Sequence, residues 1–185
     1  MPCSCIKNRK YYLHFSSADC DNSMMQQPND TLHKRYNFKL TDILRDETDA
    51  EYFSVNVEHF LMYLPHGLQK HALAIQSPQI QCPFFTSNTQ LKRPHIGSLF
   101  KPLCFAHPQE VVDIDPSNDT DRKAVVYSCN STAQSSQVCT IQRDAFIDII
   151  ISDEQGKVFD YGLFPFQMFE QKPNYTLLLS IEPLK

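Results

Sequence analysis

The C-terminal stretch 145–184 constrains the fold more than any other part of the chain. It contains two nearly continuous apolar runs, 146–151 and 175–181, that are rich in β-branched and aliphatic residues. Turn-forming residues bound both runs, which is typical of strands rather than helices. A strand covered on both faces has a continuous apolar run, whereas a half-exposed strand alternates. The stretch therefore predicts that the chain ends in the buried centre of a sheet, with a polar hairpin around 153–156 at its edge.

The composition of the whole chain agrees with an all-β domain. The 185 residues include 13 Phe, 8 Tyr and no Trp, and 12 Pro against only 4 Gly. Phe and Tyr favour strands, and many prolines favour short strands joined by loops. Roughly ten to twelve short strands follow one another at the spacing of a β-sandwich. We predict an antiparallel β-sandwich, namely a jelly roll with extra edge strands and long loops.

The length is that of one domain. We expect residues 1–9 to form a flexible N-terminal arm and residues 10–185 to form a single β-sandwich domain. No signal-peptide core is visible, and no apolar run approaches the roughly 20 residues that a spanning helix needs. The sequence thus predicts a soluble protein that is made in the cytosol and has no membrane span.

The clearest alternating strand covers 51–62, where Phe53 and Val55 face one way and Ser54 and Asn56 the other. We expect this strand to pair as a neighbour with the strand that begins at 72–75. A single helical turn is predicted at 41–46, with Thr41 or Asp42 as its cap. Further strands are predicted at 10–15, 35–40, 79–85, 95–100, 103–107, 124–129 and 138–143.

No pattern in the sequence indicates an enzyme. The four glycines are dispersed, which excludes a phosphate-cradling loop and a dinucleotide fingerprint. Neither a G-x-S-x-G elbow nor a cysteine-protease signature is present. Asp148, alone among apolar neighbours, is the one carboxylate whose position invites a pKa argument, and we interpret it as exposed or loop-facing. We predict a protein that is not an enzyme, with no catalytic residue, no cofactor and no small-molecule substrate.

Two kinds of metal centre can be tested against the spacing of the ligands. A metal-dependent jelly-roll enzyme needs a His-x-His pair, which is absent among His14, His33, His59, His66, His71, His95 and His107. A zinc site could draw on Cys3, Cys5, Cys20 and His14. However, Cys3-x-Cys5 lacks the usual spacing and no second pair follows. We therefore predict no metal site.

Seven cysteines are more than a cytosolic protein needs. Cys129 and Cys139 stand out because they flank the loop 130–137 between two predicted strands. A hairpin that closes there would bring the two thiols together. In a reducing compartment they would stay free, which is the reading we favour, and in an extracellular particle they could form a disulfide. Cys129 and Cys139 are the candidate paired thiols of this chain.

The net charge of −4 argues against a generic nucleic-acid binder, because such a protein usually carries a basic field. No direct contact with nucleic acid is therefore expected.

Two parts of the chain carry a family resemblance. The first is a strand at 11–15, a polar Asp/Asn loop, Asn37-Phe38-Lys39-Leu40 and the strand 53–57. The second is the ending from 146, with an Asp-x-x-Gly turn, a short strand and a long apolar strand up to 182. This pattern resembles minor structural proteins of eukaryotic double-stranded DNA viruses, namely polinton-like viruses, virophages and the large nucleocytoplasmic viruses. Many of those proteins consist of a single jelly roll.

The resemblance implies a structural protein of the virion in a minor capsid, penton or cement role. Such a protein acts as an oligomer, and its partners are itself and other capsid proteins. It would be made in the host cytosol and located in the virion, whereas without this role it would be cytoplasmic. The arm 1–9, the loop 16–32 and the segment 78–108 would become ordered on assembly, or they are mobile loops of a monomer. The alternative function is a β-sandwich module that binds a glycan or a protein through its loops.

Overall fold

The computed structural model describes residues 9–18, 32–65, 72–81, 102–113, 122–129, 137–153 and 174–184. This part of the chain is nearly all antiparallel β-structure, so the predicted all-β class is confirmed. Several predicted features lie wholly or mostly outside the described residues: the arm 1–9, the loops 16–32, 113–123 and 130–137, the turn 153–156, the strand 95–100 and most of the segment 78–108.

The described residues form ten strands and one short helix. The strands are β1 (Tyr11–Ser16), β2 (His33–Lys39), β3 (Tyr52–Pro65), β4 (Leu73–Gln76), β5 (Ile80–Gln81), β6 (Cys104–Asp113), β7 (Arg122–Ser128), β8 (Gln137–Ile141), β9 (Phe146–Asp153) and β10 (Asn174–Leu184). The helix α1 (Leu40–Ile43) follows β2 directly. The predicted helical turn is therefore confirmed, but its cap is wrong: the N-cap is Lys39, whose side chain makes no capping hydrogen bond.

The main strands pair as nested antiparallel couples. β1 pairs with β10, β2 with β9, β3 with β7, and β4 with β6. The couples also join sideways, because β10 pairs with β3 and β9 pairs with β4. The result is two rows, β1-β10-β3-β7 (sheet 1) and β2-β9-β4-β6 (sheet 2). One antiparallel ribbon wound around a core gives this order, which is the topology of the predicted jelly roll.

β6 links the two sheets. Its first residues, Cys104 to Ala106, pair with β4, and the rest of the strand pairs with β7. The register shifts between Pro108 and Glu110, and such a bulge bends a strand and increases its twist. Sheets 1 and 2 are therefore one curled sheet that forms a half-barrel.

β3 carries two partners along one of its edges. Its second half pairs with β7, and its residues Phe53 to Val55 pair with β8. β7 and β8 consequently lie end to end along β3, and β5 adds a further short pairing to β8. β5 and β8 are the extra strands of the jelly roll.

The expected pairing of the strand 51–62 with the strand at 72–75 is wrong. β3 belongs to sheet 1, whereas β4 lies in sheet 2 between β9 and β6. The jelly-roll winding carries the chain from sheet 1 to sheet 2 between β3 and β4, so these two strands do not pair although they are neighbours in sequence.

The C-terminal strands do occupy central positions. β10 lies between β1 and β3, and β9 lies between β2 and β4. Burial nevertheless alternates over the first part of β10, where Leu177 and Leu179 are buried and Thr176 and Leu178 are only partly buried. The inner face of β10 thus supplies the core, and its outer face is not fully covered.

Aromatic side chains hold the half-barrel together on the side away from β6. The Phe15 ring of β1 packs against the rings of Tyr36 and Phe38 on β2, with centroids 4.9 and 5.8 Å apart. The Tyr36 hydroxyl lies 2.9 Å from the Tyr175 hydroxyl in the buried interior. Such ring pairs add stability beyond the area that they bury. Backbone pairing through β6 therefore joins the sheets at one side, and ring packing joins them at the other.

Candidate functional site

A buried polar cluster lies on the outer face of sheet 2. Arg35 on β2 lies directly opposite Asp148 on β9. The Arg35 Nε and Nη2 atoms donate to the two carboxylate oxygens of Asp148 at 2.7 and 3.0 Å. The Asp148 side chain is only 5% exposed, whereas the Arg35 side chain is 38% exposed. Asp148 is therefore not in an exposed or loop-facing position, and that expectation was wrong.

Gln79 completes the cluster at the other edge of β9. β4 ends at Gln76, which pairs with Ile150, so no residue of β4 lies opposite Asp148. The Gln79 side chain takes that place: the Asp148 backbone N–H donates to Gln79 Oε1 at 2.9 Å. Gln79 Nε2 in turn donates to Asp148 Oδ2 at 3.3 Å. A side chain from the turn after β4 thereby accepts a hydrogen bond from the Asp148 N–H, which has no partner in the β4–β9 pairing.

The cluster keeps Asp148 ionised. Burial by itself would raise the pKa of the Asp148 carboxyl, but the polar groups of His33, Arg35 and Gln79 outweigh it and hold this pKa well below its usual range. The hydrogen bond to Asp148 raises the pKa of Arg35 in return. His33 Nε2 lies 3.8 Å from Asp148 Oδ2, which is too long for a hydrogen bond.

This geometry favours a structural role for Asp148. Both carboxylate oxygens already accept hydrogen bonds from Arg35. A general base needs a free oxygen within reach of a substrate proton and a pKa near the working pH. Asp148 has neither property, so we interpret the cluster as a structural link between β2, β9 and the turn after β4.

The described histidines do not converge. His14, His59 and His107 are exposed on three different strands, and His33 belongs to the Asp148 cluster. Within the described ranges, no three His, Cys, Asp or Glu side chains are grouped so that they could hold a metal ion. The remaining residues weighed as ligands lie outside those ranges: His66, His71, His95, Cys3, Cys5 and Cys20.

The structure places Cys129 and Cys139 apart. Tyr127 pairs with Phe60 of β3 and Cys139 pairs with Phe53. Cys129 lies two residues beyond Tyr127 in the direction of Phe53, so about five residues of β3, or about 16 Å, separate the levels of the two cysteines along this strand. Because β7 and β8 lie end to end, they do not form the expected hairpin, and the Cys139 thiol donates to the Gln137 carbonyl at 3.6 Å.

Cys129 has a different sulfur neighbour, which was not among the predicted pairs. Its Sγ lies 2.8 Å from Sγ of Cys104 at the start of β6. Cys104 is buried and Cys129 is partly buried against the core. A signal for this pair was present in the sequence, because two consecutive strands, near 103–107 and 124–129, each carried one cysteine.

An apolar strip crosses the outer face of sheet 1. It consists of side chains that point away from the core on β3, β7 and β6, and each of them keeps part of its surface exposed: Leu61, Tyr63, Val112, Ala124 and Val126. Their sequence neighbours Phe60, Met62 and Val125 are buried on the inner face. We call these five residues the outer strip.

The outer strip reaches an edge of the sheet that is open among the described strands. Over residues 107–113, β7 is the partner on one edge of β6, and no described strand pairs with the other edge. Val112 is 43% exposed at this edge. An open edge with exposed β-branched side chains is a surface to which another chain can bind.

No helix in the described part of the chain is long and apolar enough to cross a membrane. Comparisons with protein-family models, with curated proteins and with solved structures found no match to this chain.

Proposed function

We propose that this chain is a non-enzymatic structural protein of a viral capsid, in a minor capsid, penton or cement role, that acts through oligomeric contacts. The observation that carries the proposal is the jelly-roll winding combined with the outer strip at the open edge of β6. Jelly rolls are typical of viral capsid proteins, of lectin domains and of cupins. These three classes of protein use different parts of the fold. The side chains inside the barrel and those on its surface can therefore distinguish one class from another.

The interior favours a structural protein over a cupin enzyme. Cupins hold their metal with side chains that converge inside the barrel. Here the inner faces carry large apolar and aromatic side chains, among them Phe15, Phe60, Tyr127 and Tyr175. Phe60 packs on Tyr127 and Tyr175 with centroids 5.2 and 6.3 Å apart. An interior packed with such side chains gives the rigid domain that a capsid needs.

The surface favours association. Sheet 1 presents the outer strip where a solvent-facing sheet would carry polar side chains. A neighbouring subunit could cover the strip face to face, or it could pair with the open edge of β6. Either contact would bury Val112.

Sedimentation equilibrium of the full chain tests this proposal. We expect association that rises with protein concentration, and we expect the substitution Val112→Glu to weaken it at least tenfold by placing a charge in the contact. His14→Glu is the matched control, because His14 is exposed on the outer face of the same sheet but lies on β1. A strict monomer that also fails to bind a larger jelly-roll capsid protein would refute the proposal.

A second candidate function is the β-sandwich module that binds a glycan or a protein. The observation in its favour is Tyr12, which is 60% exposed on the edge strand β1. The Lys10 ammonium lies 5.3 Å from the centre of its ring. An exposed aromatic ring beside a cation is a platform for stacking a sugar or a peptide side chain. Saturable binding in a glycan or peptide screen without self-association, lost in Tyr12→Ala, would favour this function instead.

A further inference from the structure

The sulfur atoms of Cys104 and Cys129 lie next to each other at the point where β6 passes from sheet 2 to sheet 1. Cys104 pairs with Ile75 of β4 in sheet 2. Cys129 directly follows β7 of sheet 1, whose last residue, Ser128, pairs with His107. The two sulfur atoms are 2.8 Å apart, compared with about 2.05 Å in a disulfide bond. A small movement of the two side chains would bring them to bonding distance.

The two thiols differ in their surroundings. The hydrogen bond that Cys104 donates to Cys129, together with burial, raises the pKa of the Cys104 thiol. Cys104 is therefore held as a thiol inside the protein. Cys129 lies at the end of β7 and is only partly buried. It is the sulfur of the pair that a reagent in solution can reach first.

We propose that Cys104 and Cys129 form an oxidation site, which a low-molecular-weight disulfide such as oxidised glutathione converts into an intramolecular disulfide. The Cys129 thiolate attacks one sulfur of the reagent, whose S–S bond breaks and releases one thiol. The Cys104 thiol then attacks the Cys129 sulfur of this mixed disulfide. The bond between Cys129 and the reagent breaks, and the departing reagent sulfur takes up the proton that Cys104 loses and leaves as the second thiol. Two protein thiols are oxidised and one reagent disulfide is reduced to two thiols.

The new bond has a structural consequence. It links β6 at its entry to sheet 2 with the end of β7 in sheet 1, across the bend of the half-barrel. A disulfide at this point restricts the unfolded chain and holds the two sheets together. The inference does not depend on the proposed function, since it concerns the bend of the barrel and not the outer strip.

Peptide mapping of the oxidised full chain tests the site. The reduced protein is incubated with oxidised glutathione, quenched with acid, alkylated and digested with trypsin. We expect the tryptic peptide that contains Cys104 to be linked to the peptide 124–143. Trypsin leaves Cys129 and Cys139 in that same peptide, because no Lys or Arg lies between them. Variants must therefore separate the two cysteines.

Cys139→Ser is the matched control and should retain the link, whereas Cys129→Ser should lose it. Oxidation should also raise the melting temperature of the wild type and of Cys139→Ser by several degrees, reversibly with dithiothreitol, but not that of Cys129→Ser. A link between Cys129 and Cys139, a link from either member of the pair to another cysteine, or full alkylation of both Cys104 and Cys129 after oxidation would overturn the inference. These readouts do not require Cys104, the buried member, to be replaced.

Discussion

Arg35 and Asp148 lie 113 residues apart in the sequence and directly opposite each other on β2 and β9, where they form a two-point ion pair. The pair is asymmetric, because the carboxylate is buried and the guanidinium is partly open to solvent. Solvent can compensate an exposed cation but not a buried anion. The two partners should therefore contribute unequally when each is removed alone.

The first prediction concerns this asymmetry. Arg35→Met leaves the Asp148 carboxylate buried without its cation, and we expect a loss of about 3 kcal/mol in the free energy of unfolding. Asp148→Asn leaves an Arg35 side chain that solvent partly screens, so we expect a smaller loss of about 1–2 kcal/mol. Urea unfolding of both variants measures the difference. Arg9→Ala is the control, since the Arg9–Asp46 ion pair is exposed on both sides and its removal should cause no measurable change. Equal losses for Arg35→Met and Asp148→Asn would contradict the asymmetry.

The second prediction concerns acid unfolding. The pKa of Asp148 is lower in the folded protein than its unfolded value of about 3.9. The stabilisation is therefore fully present well above pH 4 and is lost as the pH falls through and below this value, because the unfolded chain then takes up a proton that the folded one does not. Asp148→Asn should flatten the fall in stability between about pH 5 and pH 2 relative to the wild type. Unfolding curves at several pH values test this, and parallel pH profiles for the two proteins would contradict it.

Local patterns in the sequence were sufficient to locate most of the strands that the structure describes, but not to identify the strands with which they pair. The runs at 146–151 and 175–181 indicated central strands, and β9 and β10 are central because each has a partner on both edges. The pairing of β3 with β4 was predicted from their adjacency in sequence. It was wrong because the winding of the jelly roll sends these two strands to different sheets.

The Asp148 cluster was missed for a related reason. A single carboxylate in an apolar run has two explanations: an exposed position, or a buried position with a partner from elsewhere in the chain. The partners here, Arg35 and Gln79, come from distant parts of the sequence. The predicted strand 35–40 already contained Arg35, and pairing this strand with 146–151 would have supplied the missing cation. The pair of Cys104 and Cys129 was not predicted for the same reason. The two residues approach each other only because β6 bends towards β4.

The third prediction concerns Gln79, whose side chain replaces a ladder partner for Asp148. Gln79→Ala removes the acceptor of the Asp148 N–H and one donor to its carboxylate. We expect a loss of about 1–3 kcal/mol, because both groups are buried. Faster hydrogen exchange at the Asp148 amide should accompany this loss. Gln81→Ala is the matched control: Gln81 lies two residues further on, is exposed, and should change the stability by no more than about 0.5 kcal/mol. An unchanged exchange rate at Asp148 in Gln79→Ala would contradict the protection of this amide by the Gln79 side chain.

The fourth prediction concerns two tyrosine hydroxyls in the interior of the barrel. The Tyr127 hydroxyl is buried and has no hydrogen-bond partner among the described residues, and burial raises its pKa. Tyr127→Phe removes a polar atom that folding desolvates without compensation, so we expect the stability to stay the same or to rise by up to about 1 kcal/mol. Tyr36→Phe is the matched comparison, because its hydroxyl lies 2.9 Å from that of Tyr175. It should lower the stability by about 0.5–1.5 kcal/mol. Thermal and urea unfolding of both variants provide the measurement. If Tyr127→Phe is as destabilising as Tyr36→Phe, the prediction is wrong and the Tyr127 hydroxyl has a hydrogen-bond partner in solution.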